Sequence, residues 1–369
     1  MFKVDLTEYK GSKQYCILFD FLIKKKGVNK DDFLKESGVS PSTYRKCRMV
    51  EQNTGKIVVD KLCKAFDFEN VTDEFMEEFE ERADRIYNNI YYNIDRETEN
   101  DLKYIDKLSE RNLVIKPIIV LLKLLIKAYT SLNTNAFINE NIDLYNEIKS
   151  NKSFLNEGLN EIFSILSILF ENRIDESYLV KKYKNTLYYF VLSSKLCDEK
   201  RYGECLYVSK ITEEKLLEEK NYKRLLSLNT KVMHCLNILG NYEGCFSLAH
   251  KQYQTLYSFN KVDYEYQYTM QNLMLSAVAL KKYKYVKELL LTKNKLYLNE
   301  IYCLLISQYY LDKNEYLEYY RYYYDNLSDE NKNLLALLNR YLNTKDKNIL
   351  LNLKGTKILD KTIKVLMLL

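Results

Sequence analysis

Lys30, Ser40, Ser42, Thr43, Arg45, Lys46 and Arg48 lie in one short stretch near the N-terminus. The chemistry open to them is recognition, because guanidinium and ammonium groups bond phosphate oxygens and short hydroxyls reach base edges. A second set is spread over later segments: Ser227, Thr230, Lys231, His234 and Asn237, followed by Gln271 and Asn272. Spacings of three and four put Ser227, Thr230, His234 and Asn237 on one helical face. Asn and Gln donate and accept at once, which is what holding the backbone of an extended peptide requires, and Lys231 suits a carboxylate. The other reading of this set is that these residues line a solvated surface or bond the neighbouring helix.

Catalytic chemistry has no comparable foothold. His234 and His250 are the only histidines, and neither stands in an H-E-x-x-H spacing. The phosphate loop G-x-x-x-x-G-K-[ST], the dinucleotide loop G-x-G-x-x-G and the nucleophile elbow G-x-S-x-G do not occur. The eight cysteines, at 16, 47, 63, 197, 205, 235, 245 and 303, form no C-x-x-C pair. They read as small buried hydrophobes of a reducing cytosol rather than as disulfides or zinc ligands. The expectation is a chain that is not an enzyme and carries no cofactor or metal.

The first set needs elements that present it. Asn29 to Ser37 fits a short helix with Asn29 as N-cap and Asp31 and Asp32 in the electropositive first turn. Gly38 supplies the positive φ of a tight turn. A second helix then starts with Ser40 as N-cap and Pro41 at its first position, where a missing N–H does no harm. Val39, Tyr44 and Cys47 point inward; Ser42, Thr43, Arg45, Lys46 and Arg48 point outward. Flanking segments complete the core: Tyr15 to Lys26 with Leu18, Phe19 and Leu22, stopped by Gly27, and Ile57 to Phe66 with Ile57, Val58, Leu62, Cys63 and Phe66. The run Gly38-Val39-Ser40-Pro41-Ser42-Thr43 resembles the Cro/lambda-repressor-like (Xre-type) helix-turn-helix family, over about the first 70 residues. That resemblance implies a second helix lying in the DNA major groove. Lys30 and Leu34 depart from the family pattern, which has Gln and Ala there; Lys30 still suits phosphate, and Leu34 implies a shifted packing of the two helices. A small bundle used to dock a protein is the alternative.

The remaining chain reads as helix throughout. With 9 Gly and 2 Pro in 369 residues, hairpin turns are rare and long apolar periodicities dominate, so the class is all-α. The net charge of +5 is small, so no broad polyanion-binding surface is required and basic character matters only locally. Met1 to Glu8 is polar, without a secretory pattern, and the apolar run Ile118 to Ile126 is too short to span a bilayer. Thr72 to Arg85 reads as an acidic connecting helix with Thr72 as N-cap. Helices follow at Tyr87 to Glu110, Leu113 to Leu132, Phe137 to Lys149 and Leu155 to Glu171, with no legible repeat register before Arg173.

Beyond that point Tyr202, Tyr242, Tyr283 and Tyr316 recur at a period suited to two-helix repeats. Gly240-Asn241-Tyr242-Glu243-Gly244-Cys245 resembles the inter-helix turn of the tetratricopeptide repeat, with Cys245 and Cys205 in the small-residue slot. The 35 tyrosines read as packing ridges with wet hydroxyls. The expected domains are 1–70, a DNA-binding head; 71–110, linker helices; and 111–369, a tetratricopeptide-like α-solenoid for peptide binding and dimerisation, ending in the apolar run Thr362 to Leu369.

This architecture resembles the peptide-pheromone-responsive transcription regulators of Gram-positive bacteria and their phages, the Rgg, PlcR and arbitrium-receptor type used in quorum sensing. The resemblance implies a cytoplasmic homodimer that binds double-stranded DNA and a short signalling peptide, with no membrane association. The alternatives are a repeat scaffold for protein partners and a regulator with no peptide ligand.

Overall fold

The computed structural model describes residues 3–10, 13–49, 55–94, 98–131, 134–171, 185–258, 264–293 and 295–351. Among them the regular elements are helices, and the extended pairing is a single bridge between Glu69 and Leu113; the all-α class holds. No helix among the described residues is long and apolar enough to cross a membrane. The run Thr362 to Leu369 lies outside them. Packing divides the chain into two units, Met1–Lys195 with Glu214–Arg224, and Leu196–Glu213 with Leu225–Leu369. The expected boundaries at residues 70 and 110 have no counterpart in this division.

The first unit begins with α1 (Lys13–Lys26), α2 (Lys30–Glu36), α3 (Pro41–Met49) and α4 (Lys56–Ala65). Leu18, Phe19, Phe33, Leu34, Tyr44, Cys47, Val59 and Leu62 are all buried between them, each contributing up to about 1.5–3 kcal/mol of transfer free energy for the larger aliphatic and aromatic side chains. Phe66 closes the core, stacked on Phe19 and tilted against Phe33. Ile57, expected inside, is 72% exposed, and Val58 and Val59 take the inner positions. Leu22 is only half-buried, and Ile23 supplies the inward side chain.

This core does not end at residue 70. Val4, Leu6 and Tyr9, in a strap ahead of α1, are each buried. The Tyr9 hydroxyl donates to the Phe154 carbonyl at 2.8 Å and accepts from the Asn156 amide at 2.8 Å, while Tyr9 and Tyr15 pack edge-on and tilted against Phe154. Glu69 pairs its backbone with Asn112 and Val114.

Next come α5 (Asp73–Tyr92), α6 (Thr98–Ser109), α7 (Lys116–Thr130), α8 (Thr134–Ser150), α9 (Glu157–Phe170) and α10 (Thr186–Asp198). Thr72 caps α5 as expected, accepting from the Phe75 amide at 3.1 Å. The helix runs on past Arg85 to Tyr92 because Ile86, Tyr87 and Ile90 continue its buried stripe. It stops at Asn93, a left-handed residue that Asn tolerates. Its last carbonyls, which have no partner within the helix, accept from Asn221 and Arg224. That explains why Glu214–Arg224 belongs to this unit. α7 is the apolar centre, with Ile118, Ile119, Leu121, Leu122 and Leu124 fully buried.

The second unit contains α11 (Tyr202–Glu218) up to Glu213, α12 (Tyr222–Leu239) from Leu225, α13 (Tyr242–Ser258), α14 (Tyr264–Ala279), α15 (Tyr283–Leu291), α16 (Leu298–Leu311), α17 (Lys313–Asn326), α18 (Asp329–Thr344) and α19 (Lys347–Leu351). From α13 onward each helix packs on the next, and α14, α16 and α18 also pack on one another in sequence. Tight turns share one backbone design: Lys200, Gly240 and Lys281 are left-handed, and the following amide donates back to Leu196, Leu236 and Ala277 respectively. Tyr202, Tyr242 and Tyr283 each open a helix directly after such a turn. Tyr316 does not belong to this series. It is the fourth residue of α17, which Asp312 caps by accepting from Asn314 and Glu315.

Candidate functional site

The segment around α3 is built as its sequence dictates. Asn29 caps α2 through the amides of Asp31 and Asp32, and Gly38 turns the chain at φ +68. Ser40 Oγ accepts from the Thr43 amide at 3.1 Å and lies within hydrogen-bond distance of the Ser42 and Thr43 hydroxyls, at 3.0 and 2.8 Å. Tyr44 and Cys47 anchor the helix, whereas Ser42, Thr43, Arg45, Lys46 and Arg48 are exposed.

Asp20 on α1 organises this face. It forms ion pairs with Lys30 at 2.5 Å and Arg48 at 3.2 Å and accepts from the Tyr44 hydroxyl at 3.0 Å. Tyr44 also donates to the Cys16 carbonyl, and Lys30 Nζ sits over the Tyr44 ring. Burial pushes the Tyr44 phenol far above its usual range, so it stays a neutral donor. One carboxylate therefore holds two of the seven expected contact residues in place and offsets part of their charge. Arg45 and Lys46 have no ion-pair partner among the described residues. Sequence spacing alone did not single out Asp20, since α1 and α3 meet only in the folded chain.

The second set does not form a single open polar stripe. Asn237 and Asn272 are buried, and Asn237 Nδ2 donates to Asn272 Oδ1 at 2.9 Å; Asn272 Nδ2 in turn donates to the Tyr268 carbonyl. Ser227 donates to Glu265, and Thr230 to the Ser227 carbonyl. Lys231, His234 and Gln271 are half-buried, His234 lying edge-on to Tyr202. His250 is tied to Tyr285 and Gln254 and stacked on Phe246. The amide oxygens of Asn237 and Gln252 and both amide atoms of Gln308 are buried without a protein partner. Each such atom carries a desolvation penalty of about 1–3 kcal/mol unless water or a ligand satisfies it.

A grouping absent from the sequence reading lies in the same unit. The Sγ atoms of Cys197, Cys205 and Cys235, from α10, α11 and α12, all lie within 4.8 Å of one another, Cys197 and Cys235 at 3.9 Å. Cys205 and Cys235 are fully buried and Cys197 is half-buried. The thiols of Cys197 and Cys235 hold that of Cys205 below its usual range, with help from Ser209 and the Lys231 charge, while contacts with Cys197 and Cys205 and burial raise Cys235. Sequence separation hid the cluster, because its members sit on three successive helices. No family model, curated protein or solved structure matches the chain.

Proposed function

We propose that this chain is a cytosolic DNA-binding transcription regulator that acts as a homodimer. The observation that carries the reading is the outer face of α3: hydroxyls at Ser42 and Thr43 beside the exposed cations Arg45 and Lys46, on a helix anchored by Tyr44 and Cys47. Cations positioned beside short hydroxyls suit a duplex groove, where charge gives affinity and hydroxyls give base preference. Lys30 and Arg48, leashed to Asp20, fit as positioned phosphate contacts rather than mobile ones. One head offers few contacts, so specificity calls for two half-sites.

A short peptide is the proposed effector, taken up by the Leu225–Leu369 part of the chain. Supporting this are the buried amide atoms of Asn237, Gln252 and Gln308 that lack partners, since peptide N–H and C=O groups are suited to them. A ligand of this kind regulates by its differential affinity for two states of the protein.

The test of DNA binding is selection of duplexes from a random pool by the full-length protein, followed by titration in salt. Arg45→Ala with Lys46→Ala should weaken binding and lower the log–log salt slope by about two units, one per lost phosphate contact. A wild-type protein that enriches no duplex, or an unchanged slope in the double variant, overturns the reading.

A further inference from the structure

We propose that Cys197, Cys205 and Cys235 form a three-thiolate site for a divalent thiophilic ion, with zinc as its natural occupant. Three helix segments aim their thiols at one point: the last turn of α10, the first turn of α11 and the latter half of α12. A tetrahedral zinc ion with bonds of about 2.3 Å holds its sulfurs about 3.8 Å apart. Cys197 and Cys235 already stand at 3.9 Å, and the third Sγ lies within 4.8 Å of both. Closing the set asks for small side-chain adjustments on fixed helices.

The surroundings select both ligand type and charge. Hard oxygen-seeking ions are disfavoured by an all-sulfur donor set. Three thiolates carry three negative charges, so a divalent ion leaves one and a monovalent ion leaves two, which favours the divalent ion in a mostly buried site. Coordination replaces three S–H protons, which pass to solvent. Cys197 is half-buried, which gives the ion an entry side and leaves the fourth position to a water or another exogenous donor.

The molecule supplies its own control. Cys245 stands in the same repeat slot as Cys205, five residues after a left-handed turn residue, but its Sγ donates to the backbone carbonyls of Met233 and Asn272 at 3.5 and 3.8 Å. It belongs to no cluster among the described residues.

The experiment is titration of the reduced, chelator-treated full chain with Co2+ as a spectroscopic stand-in, then displacement by Zn2+. Expected is one Co2+ per chain with intense sulfur-to-metal charge-transfer absorption, bleached by one equivalent of Zn2+. Zinc should also protect the half-buried Cys197 from a thiol reagent in the folded protein. Cys197→Ser, at the half-buried position, should lose most of the charge-transfer intensity while keeping a wild-type circular dichroism spectrum, and Cys245→Ala should keep all of it. Absence of the charge-transfer band in the folded wild-type protein overturns the site, as does an equal band in Cys197→Ser. A Cys197–Cys235 disulfide that persists in mild reductant and blocks metal uptake also overturns it.

Discussion

Two inter-helix turns, at Lys200 and Gly240, have the same backbone and opposite uses for it. Cys197 and Asn237 each stand three residues before the left-handed residue, and Cys205 and Cys245 each stand five after it. Beside the first turn, Cys197 and Cys205 meet Cys235 of α12. At the second, the amide at 237 reaches Asn272 and the thiol at 245 donates to main-chain carbonyls. The two turns share a backbone, and the residue types beside them decide whether a sulfur cluster or an internal hydrogen bond forms there.

The largest effect is expected at the amide pair. Asn272→Leu leaves the buried Asn237 amide without its acceptor, so unfolding should become easier by about 2–3 kcal/mol. Adding Asn237→Leu should recover part of that loss, and urea denaturation of the two single variants and the double variant measures the coupling. Strict additivity would mean that the two residues do not act as a pair. Cys245→Ala should reduce stability by about 1 kcal/mol, through a small cavity and two lost weak donations, and the loss should be equal with and without zinc in thermal unfolding. The finest comparison is at the turns themselves. Lys200→Gly and Lys281→Gly relieve a side chain from left-handed backbone, so each should gain up to about 1 kcal/mol, seen as a higher urea midpoint at unchanged slope. Gly240→Ala should move the other way.

Much of the architecture was legible because it rests on local rules. The caps at Asn29, Ser40 and Thr72 and the turn at Gly38 all follow from side-chain bonding or backbone freedom within a few residues. What sequence hid depends on distant partners. Ile57 and Val59 are both apolar residues at the start of α4, and only the packed neighbours decide that the second faces inward. Tyr316 matches the repeating tyrosines in type and spacing, yet α17 begins earlier because Asp312 caps it. Among the candidate site residues, the exposed face of α3 was readable from helical period, whereas the grip of Asp20 on Lys30 and Arg48 was not. The polarity of Asn237 and Asn272 suggested a ligand, and their mutual bond gives each a partner that no spacing rule reveals.

The strap ahead of α1 has a consequence for how the chain is made. Tyr9 leaves the ribosome early, but its partners at Phe154 and Asn156 follow 145 and 147 residues later. The strap's last contacts therefore belong to the slow, non-local class, reached after a long loop has closed. Helices α1 to α4 can gather locally during synthesis and the Val4 and Leu6 amides then meet Asp84 and Glu80 of α5, while the Tyr9 hydroxyl stays wet until Phe154 and Asn156 have emerged. A chain truncated before residue 154 has no partner for the Tyr9 hydroxyl, and its N-terminal strap carries an incompletely seated aromatic ring open to aggregation.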